Sequence, residues 1–436
     1  MLRYVIWGAG TRGKRIFWHI GEERIEAFID ADESKIGKRY CGKGIISLKE
    51  YKEKFNSCYI IISCINEEEV IDLLKAHHID QYFLMTDCPG EFQEPYCRDL
   101  LKNYVLRYID KDKQYVVYGC TPYSMMVCEW MKQKGVLKVN IIPQKNMKKS
   151  FITKLSEQLP EYKFCSLNLL QGEDEKEILV TVEEDWDTLQ EYKGSRMSLT
   201  NIYDCSDKIE EYYNPKIEFF KNLHTGKRCF IVATGPSLRM EDLDCLARNH
   251  EICISMNSIG KAFTNTEWRP DYYVAEEYRG VCEWGDLMEG QNIPYLFFGD
   301  TSDEFWRRNH MDNCLKYHLV FETTKKRCPK FSNNFARKSY AGHTVTYAAI
   351  QLAAYMGFAE IYLLGVDFTY CGSSQKTYAH FYKEEKLISV GADKHVLLAY
   401  KAAKKYADEN NILIYNATRG GKLEVFQRVN FDDLFT

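Results

Sequence analysis

The sequence predicts an α/β protein built from several Rossmann-like units, each a three-layer arrangement with a mostly parallel sheet. Short apolar runs that fit strands buried on both faces alternate with amphipathic helical segments along the chain. Three of these strands, ending near Trp7, Tyr118 and Ala233, run into a glycine-containing turn and then a helical segment. A length of 436 residues exceeds one ordinary domain, so we expect two or three.

The composition excludes several classes of protein. Apolar residues make up 45% and charged residues 28%, and a net charge of −4 offers no basic surface for nucleic acid. No run approaches the roughly 20 apolar residues of a membrane span. The opening MLRYVIWGAG enters a strand directly, without the apolar core of a signal peptide. We therefore expect a cytoplasmic protein with no transmembrane segment and no nucleic-acid partner, and leave peripheral membrane association and homo-oligomerisation open.

The first unit, residues 1–90, contains the G-x-G-x-x-G pattern between a strand and a helix. An acidic residue ends the next strand about twenty positions later, where it could meet a ribose hydroxyl. The unit resembles the small N-terminal Rossmann-like domains of bacterial nucleotide-sugar enzymes. Ligand binding and a purely structural role are both open interpretations. The candidate cofactor-binding residues are Gly8, Gly10, Arg12, Gly13 and Asp30.

The second unit, residues 91–222, repeats the order of strand, turn and helix around Gly119 but lacks the full glycine pattern. It is interpreted as a degenerate Rossmann-like partner of the first unit, with a role in packing or dimerisation. Its last part, SDKIEEYYNPKIEFFKNLHTGKR, is polar and is expected to be a helical bridge into the third unit.

The third unit, residues 223–436, opens with the buried strand Cys229–Ala233 and the turn Thr234-Gly235-Pro236-Ser237. We expect a helix to start at this turn, with Pro236 in its first helical turn and free N–H groups that suit a phosphate. Asn257 ends the second strand and Glu276 ends the third, both at the crevice of an open α/β sheet.

The remainder of this unit contains a predicted lid and further polar residues at strand ends. Residues 281–335 lose clear periodicity, which is typical of a long insertion. A strongly apolar helix then begins at Gly342-His343-Thr344, and the strand that follows it ends at Asp367. A loop with Tyr378 and His380 precedes the last helix.

The ordered series GPSL, SMNS, GHTVTYAAIQLAAYMGFAEIYLLGVDF and TYAH resembles one superfamily over residues 225–420. It includes the bacterial CMP-sialic acid-dependent sialyltransferases, the motility accessory factor glycosyltransferases and the archaeal 6-hydroxymethylpterin pyrophosphokinases. The resemblance implies a nucleotide cradle, a substrate-facing helix start, a tyrosine that steadies the leaving phosphate, and a histidine base for which there are two candidates. The resemblance implies that the cradle consists of Gly235, Pro236, Ser237 and Asn257, and that the substrate-facing helix start is at Gly342 and Thr344. It implies that the tyrosine is Tyr378 and that the base is His380 or His395.

Three functions are open at this point. The favoured one is a glycosyltransferase that uses a CMP-activated acidic sugar as donor, a glycan or protein hydroxyl as acceptor, and no metal cofactor. The second is a pyrophosphokinase that needs Mg²⁺, with Asp367 and Glu276 as candidate ligands. The third is a non-catalytic nucleotide-sugar binding protein. Thr234 stands where the sialyltransferases usually have Asn, so the donor stays undetermined.

Overall fold

The computed structural model is an α/β protein with three large, mostly parallel sheets flanked by helices. It divides into two compact units, Met1–Ile209 and Glu210–Thr436. The predicted fold class is confirmed. The structure describes residues 2–64, 66–85, 95–145, 147–171, 175–182, 186–194, 196–202, 208–276, 281, 284–285, 288, 290–301, 312–320, 328–368, 380–382 and 392–435.

The first sheet has the strand order β3-β4-β2-β1-β5-β6, and only the β3–β4 pair is antiparallel. Its central strand carries the apolar run of the N-terminus, and all four of its residues are buried. The strands are β1 (Tyr4–Trp7), β2 (Ile25–Ile29), β3 (Arg39–Tyr40), β4 (Lys43–Ile46), β5 (Tyr59–Ile62) and β6 (Tyr82–Leu84). The helices are α1 (Thr11–Ile20), α2 (Leu48–Lys54), α3 (Glu67–Ala76) and α4 (Pro95–Tyr108).

The second sheet, with order β11-β10-β7-β8-β9, has the same topology as the first. In both sheets the chain starts at the central strand, builds outward on one side, and then crosses to the other. The strands are β7 (Tyr115–Tyr118), β8 (Val139–Ile142), β9 (Lys163–Phe164), β10 (Lys176–Val180) and β11 (Met197–Asn201). The helices are α5 (Pro122–Gln133), α6 (Lys149–Gln158) and α7 (Trp186–Tyr192).

Helix α5 is buried along most of its length because it packs against α1 and α4 as well as its own sheet. The Arg24 guanidinium pairs with the Glu129 carboxylate at 2.5 Å and ties the two sheets of this unit together. These contacts hold the two sheets within one compact unit.

The third sheet has eight parallel strands in the order β16-β15-β14-β13-β12-β19-β20-β21. Two short strands, β17 (Leu319–Val320) and β18 (Ser339–Tyr340), pair beside it. The sheet strands are β12 (Arg228–Val232), β13 (Cys253–Met256), β14 (Tyr272–Ala275), β15 (Tyr295–Gly299), β16 (Cys314–Tyr317), β19 (Glu360–Leu364), β20 (Leu413–Asn416) and β21 (Gln427–Arg428).

Alternate residues of these strands enter two separate cores, one on each face of the sheet. On β12, Cys229 and Ile231 pack under one helical layer, whereas Phe230 and Val232 face the other. The layer against Cys229 contains α8 (Pro215–Glu218), α10 (Val345–Tyr355) and α11 (Ala392–Glu409), and the opposite layer contains α9 (Met240–Arg248). Burial raises the pKa of the Cys229 and Cys253 thiols, which act as small apolar groups as predicted.

Three features differ from the sequence-based expectations. The expected helical bridge contains, among its described residues, only the short helix α8 and a 3₁₀ turn at Glu210–Tyr212. Helix α9 begins at Met240, so the turn after β12 extends over residues 233–239 and Pro236 precedes the helix. We call residues 233–239 the switch-point turn. Strands β15 and β16 lie in the stretch 281–335, which was expected to be a lid. Four of the five residues of β15 are buried, and Leu315 and Tyr317 of β16 are buried as well. In the part of the chain that the structure describes, no helix is both long and apolar enough to cross a membrane.

Candidate functional site at the carboxyl edge of the third sheet

The third sheet reverses its strand order between β12 and β19. The connection from β12 to β13 passes through α9 on one face, whereas α10 leads into β19 from the other. Ligands of open α/β sheets bind at such a point, outside the carboxyl ends of the strands. The two strand ends are joined there, because the Gly235 amide donates to the Gly365 carbonyl at 2.9 Å.

Asp367, beyond the end of β19, holds the switch-point turn. Its Oδ2 accepts from the Ser237 hydroxyl at 2.8 Å and from the Ser237 amide at 3.3 Å. Burial raises the pKa of the Asp367 carboxyl, and the Ser237 hydrogen bonds oppose that shift. A Cβ at Gly235 would lie 2.0 Å from Oδ2, so this position has room only for glycine.

These contacts argue against the predicted phosphate-binding site at this turn. The Gly235 and Ser237 amides are hydrogen-bonded within the protein, and the helix whose N–H groups were expected to be free starts only at Met240. Asn257 of the predicted cradle, and Thr234 directly before Gly235, are the residues here whose side chains lie beyond the strand ends and outside these contacts.

The segment 380–382, which we call the anchored segment, lies on the switch-point turn. The Phe381 amide donates to the Thr234 carbonyl at 3.0 Å, and His380 Nδ1 lies 3.2 Å from Thr234 Oγ1. The His380 and Tyr382 rings stack, with centroids 5.0 Å apart and planes inclined by 10°. Predicted base and predicted cradle are therefore neighbours, whereas Tyr378 lies outside the described residues.

Sequence reasoning missed three residues that fix the anchored segment. The Tyr382 hydroxyl donates to Ser258 Oγ at 2.8 Å, and the Lys261 ammonium lies 3.7 Å from the centroid of the Tyr382 ring. The same ammonium is 5.2 Å from the Trp284 ring centroid. Two features of the sequence could have indicated these residues. Ser258 belongs to the SMNS motif, and Tyr382 follows the TYAH motif by two positions.

Asn257 follows β13 directly, as predicted, with a backbone φ of +48° that asparagine tolerates better than most residues. Its carbonyl accepts from the Tyr273 hydroxyl at 2.8 Å. Among the described residues, no hydrogen bond to its side-chain amide is found, so this amide can meet a ligand. Glu276 follows β14 and is buried, and its carbonyl accepts from Thr301 Oγ1 at 3.1 Å.

The start of α10 lies beside His395, the second histidine candidate. Thr344 precedes the helix without capping it, and the Thr344 and Thr346 hydroxyls bond the buried Tyr400 side chain, whose pKa burial raises to about 12. The His343 and His395 ring centroids are 4.7 Å apart. A Cβ at Gly342 would lie 2.6 Å from the Tyr347 ring, so this glycine permits a tight entry into the helix.

The glycine pattern of the first sheet has the expected backbone geometry. Gly8 has φ +115°, and a Cβ at Gly13 would lie 1.9 Å from the Gly8 carbonyl oxygen, whereas a Cβ at Gly10 would meet nothing within 4 Å. Asp30 uses its carboxylate inside the protein, accepting from the Ala9 amide at 2.8 Å and from Lys35 Nζ at 3.0 Å. No ion pair of Arg12 is found among the described residues.

The corresponding turn of the second sheet is closed by its own side chains. The Cys120 amide donates to Gln144 Oε1 at 2.8 Å, and the Thr121 amide donates to Ser124 Oγ at 2.9 Å. Thr181 Oγ1 lies 2.7 Å from Ser124 Oγ and completes a buried network. This turn has no amide left for a phosphate at Cys120 or Thr121, which agrees with a degenerate unit.

The residues that the structure describes include no group of three His, Cys, Asp or Glu side chains placed to hold a metal ion.

Comparison with known proteins identifies one similarity. Residues 200–373 match the sequence model of the 6-hydroxymethylpterin diphosphokinase MptE-like family. The matched region contains Thr234, Asn257 and Asp367, and it ends before His380 and His395. It is therefore similar to a family of transferases over the switch point, and the two histidines lie outside the similarity. The comparisons with curated proteins and with solved structures gave no match.

Proposed function

We propose that the unit Glu210–Thr436 is a nucleotide-dependent transferase that acts at the carboxyl edge of its sheet, and that it transfers an acidic sugar from a CMP-activated donor to a hydroxyl acceptor. The observation that carries the proposal is the position of His380, hydrogen-bonded to Thr234 at the switch point. A histidine placed there can serve as general base for an incoming hydroxyl. The family match supports the transferase class.

In the proposed reaction, the acceptor oxygen forms a bond to the anomeric carbon of the sugar as the bond from that carbon to the phosphate oxygen breaks. His380 takes the acceptor proton, and CMP leaves with the electron pair of the broken bond. With its proton on Nδ1, His380 donates to Thr234 Oγ1 and presents the Nε2 lone pair to the acceptor. His395 remains the alternative base, since it lies beside His343 at the start of α10.

The other predicted residues have supporting roles in this proposal. The Asn257 amide contacts the nucleotide, and the N-terminal amides of α10, with His343 beside them, face the phosphate or the sugar carboxylate. Asp367 positions the turn through Ser237 and does not touch the substrate. Tyr378 is proposed to steady the leaving phosphate. In the same proposal, the acceptor is a hydroxyl group of a glycan or a protein, and the enzyme acts in the cytoplasm.

The second candidate is a diphosphokinase, which the family match favours by its description. Such an enzyme uses Mg²⁺ to neutralise the ATP phosphates, and Asp367 and Glu276 are the carboxyl groups at the strand ends that could hold it. Both carboxyl groups are buried, and Asp367 already accepts two hydrogen bonds from Ser237. We therefore place this function second.

Thermal-shift titration with CMP and with ATP, each with and without Mg²⁺, separates the two candidates. A ligand that binds only the folded state at 100 times its dissociation constant stabilises it by about 2.7 kcal/mol. We expect CMP to raise the melting temperature without Mg²⁺, and Asn257→Ala to abolish the effect. Stabilisation by ATP only in the presence of Mg²⁺, with none by CMP, would overturn the glycosyltransferase in favour of the kinase.

A further inference from the structure

A surface groove of about 840 Å³ runs along α11, and none of the candidate site residues lines it. Its helical wall is a stripe of residues spaced three and four positions apart, from Leu397 to Asp408, about 16 Å of helix. The other wall comes from Lys422, Glu424 and Val425, and Phe368 also lines the groove. We call it the α11 groove.

The groove combines an apolar floor with basic walls. Phe368, Leu397 and Val425 supply apolar surface, and all three belong to or pack against the core under α10 and α11. Four lysines stand around them: Lys401, Lys404, Lys405 and Lys422. An apolar hollow surrounded by ammonium groups suits a ligand that has both an apolar part and a negative charge.

The acidic residues of the groove do not neutralise all of these lysines. Asp408 pairs with Lys404 at 2.5 Å, and Glu409 pairs with Lys405 at 3.8 Å. Glu424 pairs with Arg428 at 2.8 Å, outside the groove. No acidic partner is found for Lys401 or Lys422 among the residues that the structure describes, and both side chains are exposed. Two positive charges are therefore available to a ligand.

The groove is connected to the switch point through the backbone. The Lys422 amide donates to the Asp367 carbonyl at 2.7 Å, and Phe368 directly follows Asp367. We propose that the α11 groove is a second ligand site, which binds a small amphiphilic anion with an apolar ring or chain on its floor and its anionic group between Lys401 and Lys422. The proposal holds whichever nucleotide the switch point takes.

The test uses two dyes with the same ring system, titrated into the full-length protein and followed by fluorescence. The anionic dye is 8-anilinonaphthalene-1-sulfonate, and the uncharged dye is N-phenyl-1-naphthylamine. We expect saturable binding of the anionic dye, and an affinity about tenfold lower in the Lys401→Gln/Lys422→Gln variant, since two exposed charge interactions are lost. Binding of the uncharged dye should not change.

The control variant is Lys404→Gln/Asp408→Asn, which removes a complete ion pair and leaves the charge of the groove unchanged. It should bind the anionic dye with wild-type affinity. Should the first variant fail to fold, Val425→Glu places a negative charge in the groove and is expected to weaken the same dye. The proposal would be overturned if wild type and the Lys401/Lys422 variant bound the anionic dye with equal affinity. It would also be overturned if CMP displaced the dye, because the dye would then occupy the nucleotide site.

Discussion

His380 Nδ1 and Thr234 Oγ1, 146 positions apart in the sequence, lie 3.2 Å from each other at the switch point of the third sheet. The contact joins the turn after β12 to the anchored segment, which lies just before α11. The Phe381 amide strengthens the same junction by its bond to the Thr234 carbonyl. The His380 imidazole is thereby held at the edge where an α/β sheet binds its ligands.

Substitution of His380 tests the proposed base directly. His380→Gln should lower kcat by about 10²–10⁴-fold, the usual contribution of a positioned general base, because glutamine cannot accept the proton. The affinity for CMP, measured by titration calorimetry, should stay within about threefold of wild type, since His380 is not proposed to bind the nucleotide.

Two variants serve as controls for this experiment. His250→Asn changes an exposed histidine whose φ of +51° suits asparagine, and it should keep full activity. His395→Gln should keep activity within about tenfold of wild type, a moderate effect for a residue near the site. A large loss in His395→Gln with an active His380→Gln would assign the base to His395.

Tyr382 is predicted to position His380. Its ring stacks on the His380 ring and contacts the Lys261 ammonium, and its hydroxyl donates to Ser258 Oγ. Tyr382→Leu should lower kcat about tenfold or more with little change in KM, since the stacking surface is lost while the nucleotide contacts remain.

Tyr382→Phe keeps the ring and loses only the bond to Ser258, so its kcat should fall less than that of Tyr382→Leu. Steady-state rates over a range of pH would add a second readout, because a loosened His380 should alter the pH profile of a reaction that uses it as base. If the leucine and phenylalanine variants show the same rates and pH profiles as wild type, the positioning role is disproved.

Asp367→Asn should separate stability from metal binding. Burial raises the pKa of Asp367 in the folded protein, so its ionisation opposes folding, and the wild type loses stability as the pH rises from the unfolded value near 3.9 through the folded one. The neutral amide is free of this penalty. We expect the variant to melt at a higher temperature at pH 7, by about 2 °C if the gain is near 1 kcal/mol.

The difference in melting temperature should disappear below pH 4, where wild-type Asp367 is protonated as well. Differential scanning fluorimetry from pH 3 to pH 8 measures this dependence. CMP binding should survive in the variant, because Asp367 is proposed to act only through Ser237. If ATP with Mg²⁺ raised the melting temperature of wild type but not of this variant, Asp367 would instead be identified as a metal ligand.

The sequence was sufficient to predict which residues follow the ends of the strands. Apolar runs ending in Thr234, Asn257, Glu276 and Asp367 identified parallel strands, and parallel strands place their carboxyl ends at one edge. The course of the switch-point turn could not be predicted, because the bonds of Ser237 and Gly235 to Asp367 and Gly365 join segments 130 positions apart in the chain.

The contacts of the anchored segment were also beyond sequence reasoning. Stacking of Tyr382 on His380 and the approach of Lys261 depend on how a loop folds back onto the sheet, which no periodicity encodes. Strands β15 and β16 were missed for a different reason. These strands are only four or five residues long, β16 includes the exposed Lys316, and such short strands give a weak signal.

The glycines of the first sheet allow a paired test of fold and ligand binding. Gly13→Ala places a Cβ 1.9 Å from the Gly8 carbonyl oxygen, a backbone atom that cannot move aside easily, and should destabilise the unit by about 1–3 kcal/mol or more. The Cβ of Gly10→Ala would meet nothing within 4 Å, and Gly10 has an extended φ of −140°, so the melting temperature of this variant should equal that of wild type.

Gly10→Ala should also weaken the binding of any nucleotide at this turn, because the new methyl group extends into the open space where a pyrophosphate would approach the backbone. A thermal-shift screen of the wild type and Gly10→Ala with NAD and with CMP- and UDP-sugars measures both effects. A nucleotide that stabilises both proteins equally binds elsewhere, and a nucleotide that stabilises only the wild type assigns the glycine pattern of the first sheet a ligand.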